Sequence, residues 1–177
     1  MNKAIFLDRD GTLNPDPGYI SRPEDFELFD GVGEALKRLK DDGYLLILIT
    51  NQSGISRGLF TEEQLELIHN KLKRLLAEAG TSLDGIYYCP HHPEHPYKGV
   101  SVCDCRKPAP GLILRAIKDH NIDSSNSYMI GDRKSDIKIG LNAGVKPVFI
   151  GEEPIEGYED IPTFNNLSKA VDFILSK

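Results

Sequence analysis

The sequence predicts an α/β fold, a doubly wound parallel sheet covered by helices on both faces. Two observations carry this. Five short, unbroken apolar runs, at residues 4–7, 45–49, 86–88, 128–130 and 148–150, have the character of strands buried on both faces. Segments of helical periodicity alternate with them, so each parallel strand returns through a right-handed crossover and the loops at the strand carboxyl ends share one edge. A third observation concerns that edge: Asp8 and Asp10 directly follow the first run, where ligands of open α/β sheets gather.

In chain order, Ala4 to Leu7 leads into Asp8-Arg9-Asp10-Gly11-Thr12-Leu13. Strand alternation sends Asp8 and Asp10 the same way and Arg9 away from them. Residues 14–25 are too long for a plain connector and form a flap over the first strand. A helix from Val32 to Leu39 stops before Asp41-Asp42-Gly43. The second strand, Leu45 to Ile49, ends at Thr50-Asn51. Thr61-Glu62-Glu63-Gln64 has capping-box spacing and opens a long helix with Leu65, Ile68, Leu72, Leu75 and Leu76 on one stripe. Ile86 to Tyr88 is the third strand, followed by a loop, Pro90 to Pro110, long enough to need internal support. Pro110 suits the first position of the next helix, through Leu112, Ile113, Ala116 and Ile117. The remaining elements are strands at 128–130 and 148–150 and helices at 136–143 and 167–175. Residues 152–162, acidic and with two prolines, are solvated loop.

With 177 residues, 40% hydrophobic and 27% charged, the chain can bury one substantial core, and residues 1–177 are expected to form one domain. A net charge of -6 argues against a nucleic-acid backbone as partner and for a small anionic substrate met by a few placed cations. No apolar run approaches the roughly 18 residues of a membrane span, and no leader pattern precedes the first strand. The expectation is a cytoplasmic monomer without a membrane partner. All three cysteines fall between positions 89 and 105, which in a reducing compartment favours metal ligation over a disulfide.

Two carboxylates at a strand end read as a phosphoryl-transfer site, one to attack phosphorus and one to manage the leaving group's proton. Cys89-Pro90-His91 and Cys103-Asp104-Cys105 offer a Cys3His set for a closed, structural Zn2+ site folding loop 89–105. Spacing alone also allows reduced, unligated thiols. His92 and His95 read as loop histidines in water.

Asp8-x-Asp10-Gly11-Thr12, Thr50 at the second strand end, Arg106-Lys107-Pro108 and Gly131-Asp132-Arg133-Lys134-Ser135-Asp136 together resemble the haloacid dehalogenase superfamily. Thr50-Asn51-Gln52-Ser53-Gly54-Ile55 and Cys89-Pro90-His91-His92-Pro93 narrow the resemblance to its histidinol-phosphate phosphatase-like branch, nearest the heptose bisphosphate phosphatases. The resemblance implies a Rossmann-like core without a large cap. It implies Asp8 as nucleophile forming an aspartyl-phosphate, Asp10 as general acid then base, and Thr50 and Lys107 stabilising the phosphoryl group. Mg2+ would be held by Asp8, the Asp10 backbone carbonyl and Asp132, in keeping with its preference for oxygen ligands. Asp136 would hold Lys107 or a metal-bound water. It lowers the weight of unligated thiols and so supports Zn2+ at Cys89, His91, Cys103 and Cys105. Because Cys105 directly precedes Arg106 and Lys107, zinc would also fix where those cations project.

Substrate contacts implied by position are Asp16, Pro17, Gly18 and Tyr19 of the flap, Thr50, Asn51, Gln52 and Ser53, then Arg106, Lys107 and Arg133. Arg57 is a weaker candidate. The branch commonly has Gly-Asp-Lys where this chain has Gly131-Asp132-Arg133, and Arg and Lys differ in geometry. The implied reaction removes the 7-phosphate of a heptose 1,7-bisphosphate and keeps the 1-phosphate, supplying nucleotide-activated heptose for bacterial surface glycans. Histidinol phosphate or another small phosphorylated metabolite is the alternative. An end-processing 3′-phosphatase fits the acidic balance poorly, and a non-catalytic zinc module fits poorly with a complete set of acidic and basic motif residues. Gly31-Val32-Gly33 lacks the third glycine of a dinucleotide fingerprint, and there is no Walker-type loop.

Overall fold

A computed structural model describes all 177 residues. Six parallel strands form one sheet in the order β3-β2-β1-β4-β5-β6: β1 Ala4–Leu7, β2 Leu45–Asn51, β3 Gly85–Cys89, β4 Tyr128–Gly131, β5 Lys146–Ile150 and β6 Thr163–Phe164. The helices are α1 Val32–Asp41, α2 Glu62–Glu78, α3 Gly111–His120, α4 Lys134–Asn142 and α5 Leu167–Leu175.

Alternate strand residues feed two cores, which explains why the strand runs are continuously apolar. Ile5, Leu7, Leu46, Leu48 and Ile130 pack under α1, α2 and α5. Ala4, Phe6, Ile47, Ile49 and Met129 pack under α3 and α4. The chain steps outward from β1 through β2 to β3, then returns to the other side of β1 as β4. The crevice where this direction reverses opens at the carboxyl ends of β1 and β4, beside Asp8 and Asp132.

The expected elements are all present, with shifts at their ends. Thr61 caps α2 through the full capping box with Gln64. Pro110 is the residue before α3 rather than its first residue. α4 starts at Lys134, two residues earlier than expected, because the Asp136 carboxylate accepts from the Arg133 amide and closes its first turn. β6, two residues long, has no readable period and is held by pairing with Phe149 and Ile150. A short 3-10 turn, Pro23–Asp25, ends the flap, which is anchored by buried Ile20 and Phe26. No helix is long and apolar enough to cross a membrane.

Candidate active site

The carboxyl ends of β1, β2 and β4 converge on a polar cavity of about 260 Å3. Asp8, Asp10 and Lys107 form part of its wall, with Asn51, Gln52 and Ser53 from the β2 end. Asp16, Gly18, Tyr19 and Ile20 of the flap face them, and Arg106, Arg133 and Ser135 complete it. Pro17, Thr50 and Asp132 do not line this cavity; Thr50 is buried behind Gln52, whose Nε2 donates to its hydroxyl oxygen at 2.9 Å. That leaves the Thr50 hydroxyl hydrogen free to donate.

Asp8 is buried, its amide bonded to Ile130 O at 2.9 Å across the β1–β4 step. Lys107 Nζ lies 2.7 Å from Asp8 Oδ1, 2.7 Å from Asp136 Oδ1 and 3.2 Å from Ile49 O. Three acceptors match the three ammonium donors. The Lys107 backbone is clamped to the β2 end by Asn51, whose Oδ1 accepts from Lys107 N at 3.0 Å and whose Nδ2 donates to Lys107 O at 3.3 Å. Burial alone would lower the Lys107 amine, but Asp136 and Asp8 hold it above the usual lysine range.

Asp8, Asp132 and Asp136 bring carboxylate oxygens within 4.8 Å of one another. Burial, then the charge of Asp136, raises the Asp8 carboxyl well above the usual range despite Lys107. Asp132 is raised by burial and Asp136 as well. Lys107 is the one buried cation against these three carboxylates, and Arg133 at the rim, which also acts on Asp132, is shared with Asp16. Negative charge is left uncompensated, and a hard divalent cation with oxygen ligands fits that donor set. Two glycines make this crowding possible. A Cβ on Gly11, which has φ +86°, would lie 2.1 Å from Asp132 Oδ2, and one on Gly131 would lie 2.3 Å from Asp136 Cγ.

Arg9 does not point away from Asp10, as strand alternation suggested. β1 ends at Leu7, and the turn that follows folds the guanidinium back onto Asp10. Arg9 NH2 donates to Asp10 Oδ1 at 2.9 Å and Oδ2 at 3.1 Å, and Nε donates to Oδ1 at 3.1 Å. Asn14 Nδ2 donates to Oδ1 and Gln52 Nε2 to Oδ2, each at 2.9 Å. Burial would raise the Asp10 carboxyl; Arg9, with Asn14 and Gln52, holds it below the usual range.

At the rim, Arg133 pairs with Asp16 and ties the flap to the β4–α4 turn. Arg106 donates to His91 O at 3.0 Å. Arg57 does not line the cavity: its two terminal nitrogens contact His95 Nε2 and His92 Nε2, both at 3.1 Å. Those histidines are therefore half-buried arginine partners rather than free loop residues.

Cys89, His91, Cys103 and Cys105 form a second cluster at the end of β3. Cys89 Sγ is 3.6 Å from Cys103 Sγ and 3.0 Å from Cys105 Sγ; His91 Nδ1 is 3.6 Å from Cys89 Sγ and 3.3 Å from Cys105 Sγ. Tetrahedral zinc requires S···S of about 3.8 Å and N···S of about 3.5 Å, so the donor set fits the ion after slight expansion. Burial raises the Cys89 and Cys105 thiols, so metal binding there must displace their protons.

Sequence reasoning missed Arg9, Asn14 and His69, whose Nε2 lies 3.3 Å from Arg9 NH1. The last had a signal: it falls on the apolar stripe of α2 beside Leu65, Leu72 and Leu76, where a polar residue needs a buried partner.

Residues 104–154 match the family model described as HAD-hydrolase-like. Among curated proteins, the chain is 54% identical over 145 residues, 81% of its own length and 80% of the relative's, to D-glycero-beta-D-manno-heptose-1,7-bisphosphate 7-phosphatase of Haemophilus ducreyi. It is 47% identical over 175 residues, 98% of its length and 97% of the relative's, to the protein of that name from Helicobacter pylori. Among solved structures, D,D-heptose 1,7-bisphosphate phosphatase of B. bronchiseptica, complexed with magnesium and phosphate, matches with TM-score 0.84 and 32% identity over 98% of each chain.

Proposed function

The chain belongs to the D-glycero-β-D-manno-heptose-1,7-bisphosphate 7-phosphatase family of HAD-like hydrolases, and on that premise we propose that it hydrolyses the 7-phosphate of this sugar bisphosphate and leaves the 1-phosphate in place. The observation that carries the reading is the buried Asp8–Lys107–Asp136 arrangement beside the gripped Asp10.

In this reading Asp8 attacks phosphorus and becomes an aspartyl-phosphate while Asp10 passes a proton to the departing sugar oxygen. Asp10 then takes a proton from water as the water attacks the phosphoryl group, which frees inorganic phosphate and restores Asp8. Arrival of a phosphate dianion pushes the Asp10 carboxyl back up, which lets a group held ionised at rest carry a proton. Lys107 and the Thr50 hydroxyl stabilise charge on the transferring oxygens. Mg2+, held by the Asp8 and Asp132 carboxylates and the Asp10 carbonyl, would supply compensation for the charge of the phosphoryl group. The phosphate that is not transferred meets Arg106 and Arg133 on the cavity wall, with Asn51, Gln52, Ser53 and the flap residues Asp16, Gly18 and Tyr19 contacting the sugar.

Zn2+ at Cys89, His91, Cys103 and Cys105 has a structural part: four protein ligands leave no open position for an activated water. It holds the segment from which Arg106 and Lys107 project. We assign residues 1–177 to one phosphatase domain, with flap 14–25 and zinc loop 89–105 as its elaborations in place of a large cap. All groups invoked come from one chain, which supports a working monomer, and the thiol ligand set suits a reducing cytoplasm.

The test is phosphate release with Mg2+ from both anomers of the heptose bisphosphate, histidinol phosphate and a 3′-phosphorylated oligonucleotide, with Asp8→Asn as blank. A preference for the β-heptose substrate, abolished in the variant, is expected. Preference for histidinol phosphate would overturn the substrate while keeping the chemistry.

A further inference from the structure

Arg9 is the largest side chain in the molecule with almost no exposure, 1%. A guanidinium has only donors, and burial obliges each to find an acceptor. Nε and NH2 are spent on Asp10, with NH2 also 3.4 Å from Gln52 Oε1. NH1 has one partner, Nε2 of His69, at 3.3 Å. His69 stands on α2, and the Phe26 ring, where the flap rejoins the core, lies 5.6 Å from the guanidinium carbon.

Because arginine cannot accept, His69 Nε2 must present its lone pair, which places the proton on Nδ1 and makes the imidazole neutral. Burial, and then the neighbouring Arg9 charge, pushes the His69 pKa down to about 3, so the ring stays an acceptor across the working pH range. His69 is 5% exposed and does not line the cavity; the Arg9 guanidinium links it to the Asp10 carboxylate.

We propose that His69 is a positioning residue for proton transfer: by engaging the far end of the Arg9 guanidinium it fixes that group's plane, and thereby the orientation of the Asp10 carboxylate toward the leaving oxygen. The inference rests on Asp10 being the acid–base group. Remove the acceptor at 69 and NH1 is left buried without a partner, so the guanidinium turns to find one. The Asp10 carboxylate, bonded to it through both oxygens, is drawn with it against the bonds from Asn14 and Gln52 and leaves its aligned position.

A scaffold role and a proton-transfer role differ in leaving-group dependence. An alkoxide leaving group needs a proton from Asp10, whereas p-nitrophenolate departs without one. The experiment is rapid-quench measurement of the phosphoryl-transfer step with heptose bisphosphate and with p-nitrophenyl phosphate, in the parent, His69→Leu, His69→Asn, His69→Gln and Asp10→Asn. Losing one hydrogen bond to a charged group predicts a fall of about tenfold or more on the sugar substrate for His69→Leu, with KM and the aryl rate within about twofold. His69→Gln, whose amide oxygen reaches where Nε2 stood, restores most of the rate. His69→Asn, too short to reach Arg9, behaves as His69→Leu and supplies the reading if the leucine protein does not fold. Equal losses on both substrates, or none, while Asp10→Asn loses the sugar reaction selectively, overturn the inference and leave the reading of Asp10 standing. If Asp10→Asn shows no such selectivity, both fall.

Discussion

Replacing Asp8 with Asn should abolish turnover and yet, in the absence of divalent metal, give a protein more stable than the parent at neutral and alkaline pH. The Asp8 carboxyl rises from 3.8 to about 7 on folding, chiefly through burial and then through Asp136, with Lys107 opposing. Below the unfolded value both states are protonated and the group is neutral in its effect. As pH rises, the unfolded chain ionises first, so folding stability falls until the native carboxyl also ionises and then levels off. At about 1.36 kcal/mol per pKa unit, that interval amounts to roughly 4 kcal/mol above pH 7. An amide keeps an oxygen for Lys107 and carries no charge, so the expected gain for the variant is roughly 1–4 kcal/mol at pH 8 and nothing near pH 3.5. Urea denaturation of both proteins across pH 3.5–8, after dialysis into buffer without Mg2+, reads this directly. Saturating Mg2+ should then narrow or reverse the order, since it stabilises the form that binds it. A variant less stable than the parent at pH 8 without Mg2+ would show that the 2.7 Å Asp8–Lys107 pair outweighs burial and the surrounding carboxylates, refuting the charge-excess argument for the metal site.

Other consequences are equally checkable. Cys105→Ser should lose most of the bound zinc by elemental analysis, lower the melting temperature and reduce kcat; full activity in a stable zinc-free protein would disprove that zinc sets the position of Arg106 and Lys107. Gly11→Ala forces a side chain into a φ of +86° and against Asp132, so a stability loss of about 1–3 kcal/mol and weaker Mg2+ activation are expected. Arg133→Ala should leave stability within about 1 kcal/mol, because its pair with Asp16 is largely exposed on the arginine side, while raising KM; an unchanged KM would remove Arg133 from the substrate site.

The fold was legible because it depends on patterns local to each element. Ile5 and Leu7 serve one core and Ala4 and Phe6 the other, so an unbroken apolar run signals a doubly covered strand. Thr61-Glu62-Glu63-Gln64 announces α2 through a cap that needs no tertiary context. β6 was invisible because two residues have no period, and its place comes from its neighbour β5. The same division runs through the site. Asp8 and Asp132 stand in short motifs at strand ends and Lys107 in one on the loop before α3, and the structure brings them together. Arg9 was misread because alternation was carried past the last strand residue, where backbone turning decides direction. The reach from Arg9 to His69 across 60 positions is a long-range packing fact that no local spacing encodes.

The most direct test of the central claim is 31P NMR of the product formed from D-glycero-β-D-manno-heptose 1,7-bisphosphate with Mg2+. Free inorganic phosphate and a sugar that keeps its anomeric phosphate and bears a free 7-hydroxyl are expected, with no reaction in Asp8→Asn. Loss of the anomeric phosphate, or turnover that survives Asp8→Asn, would contradict that claim.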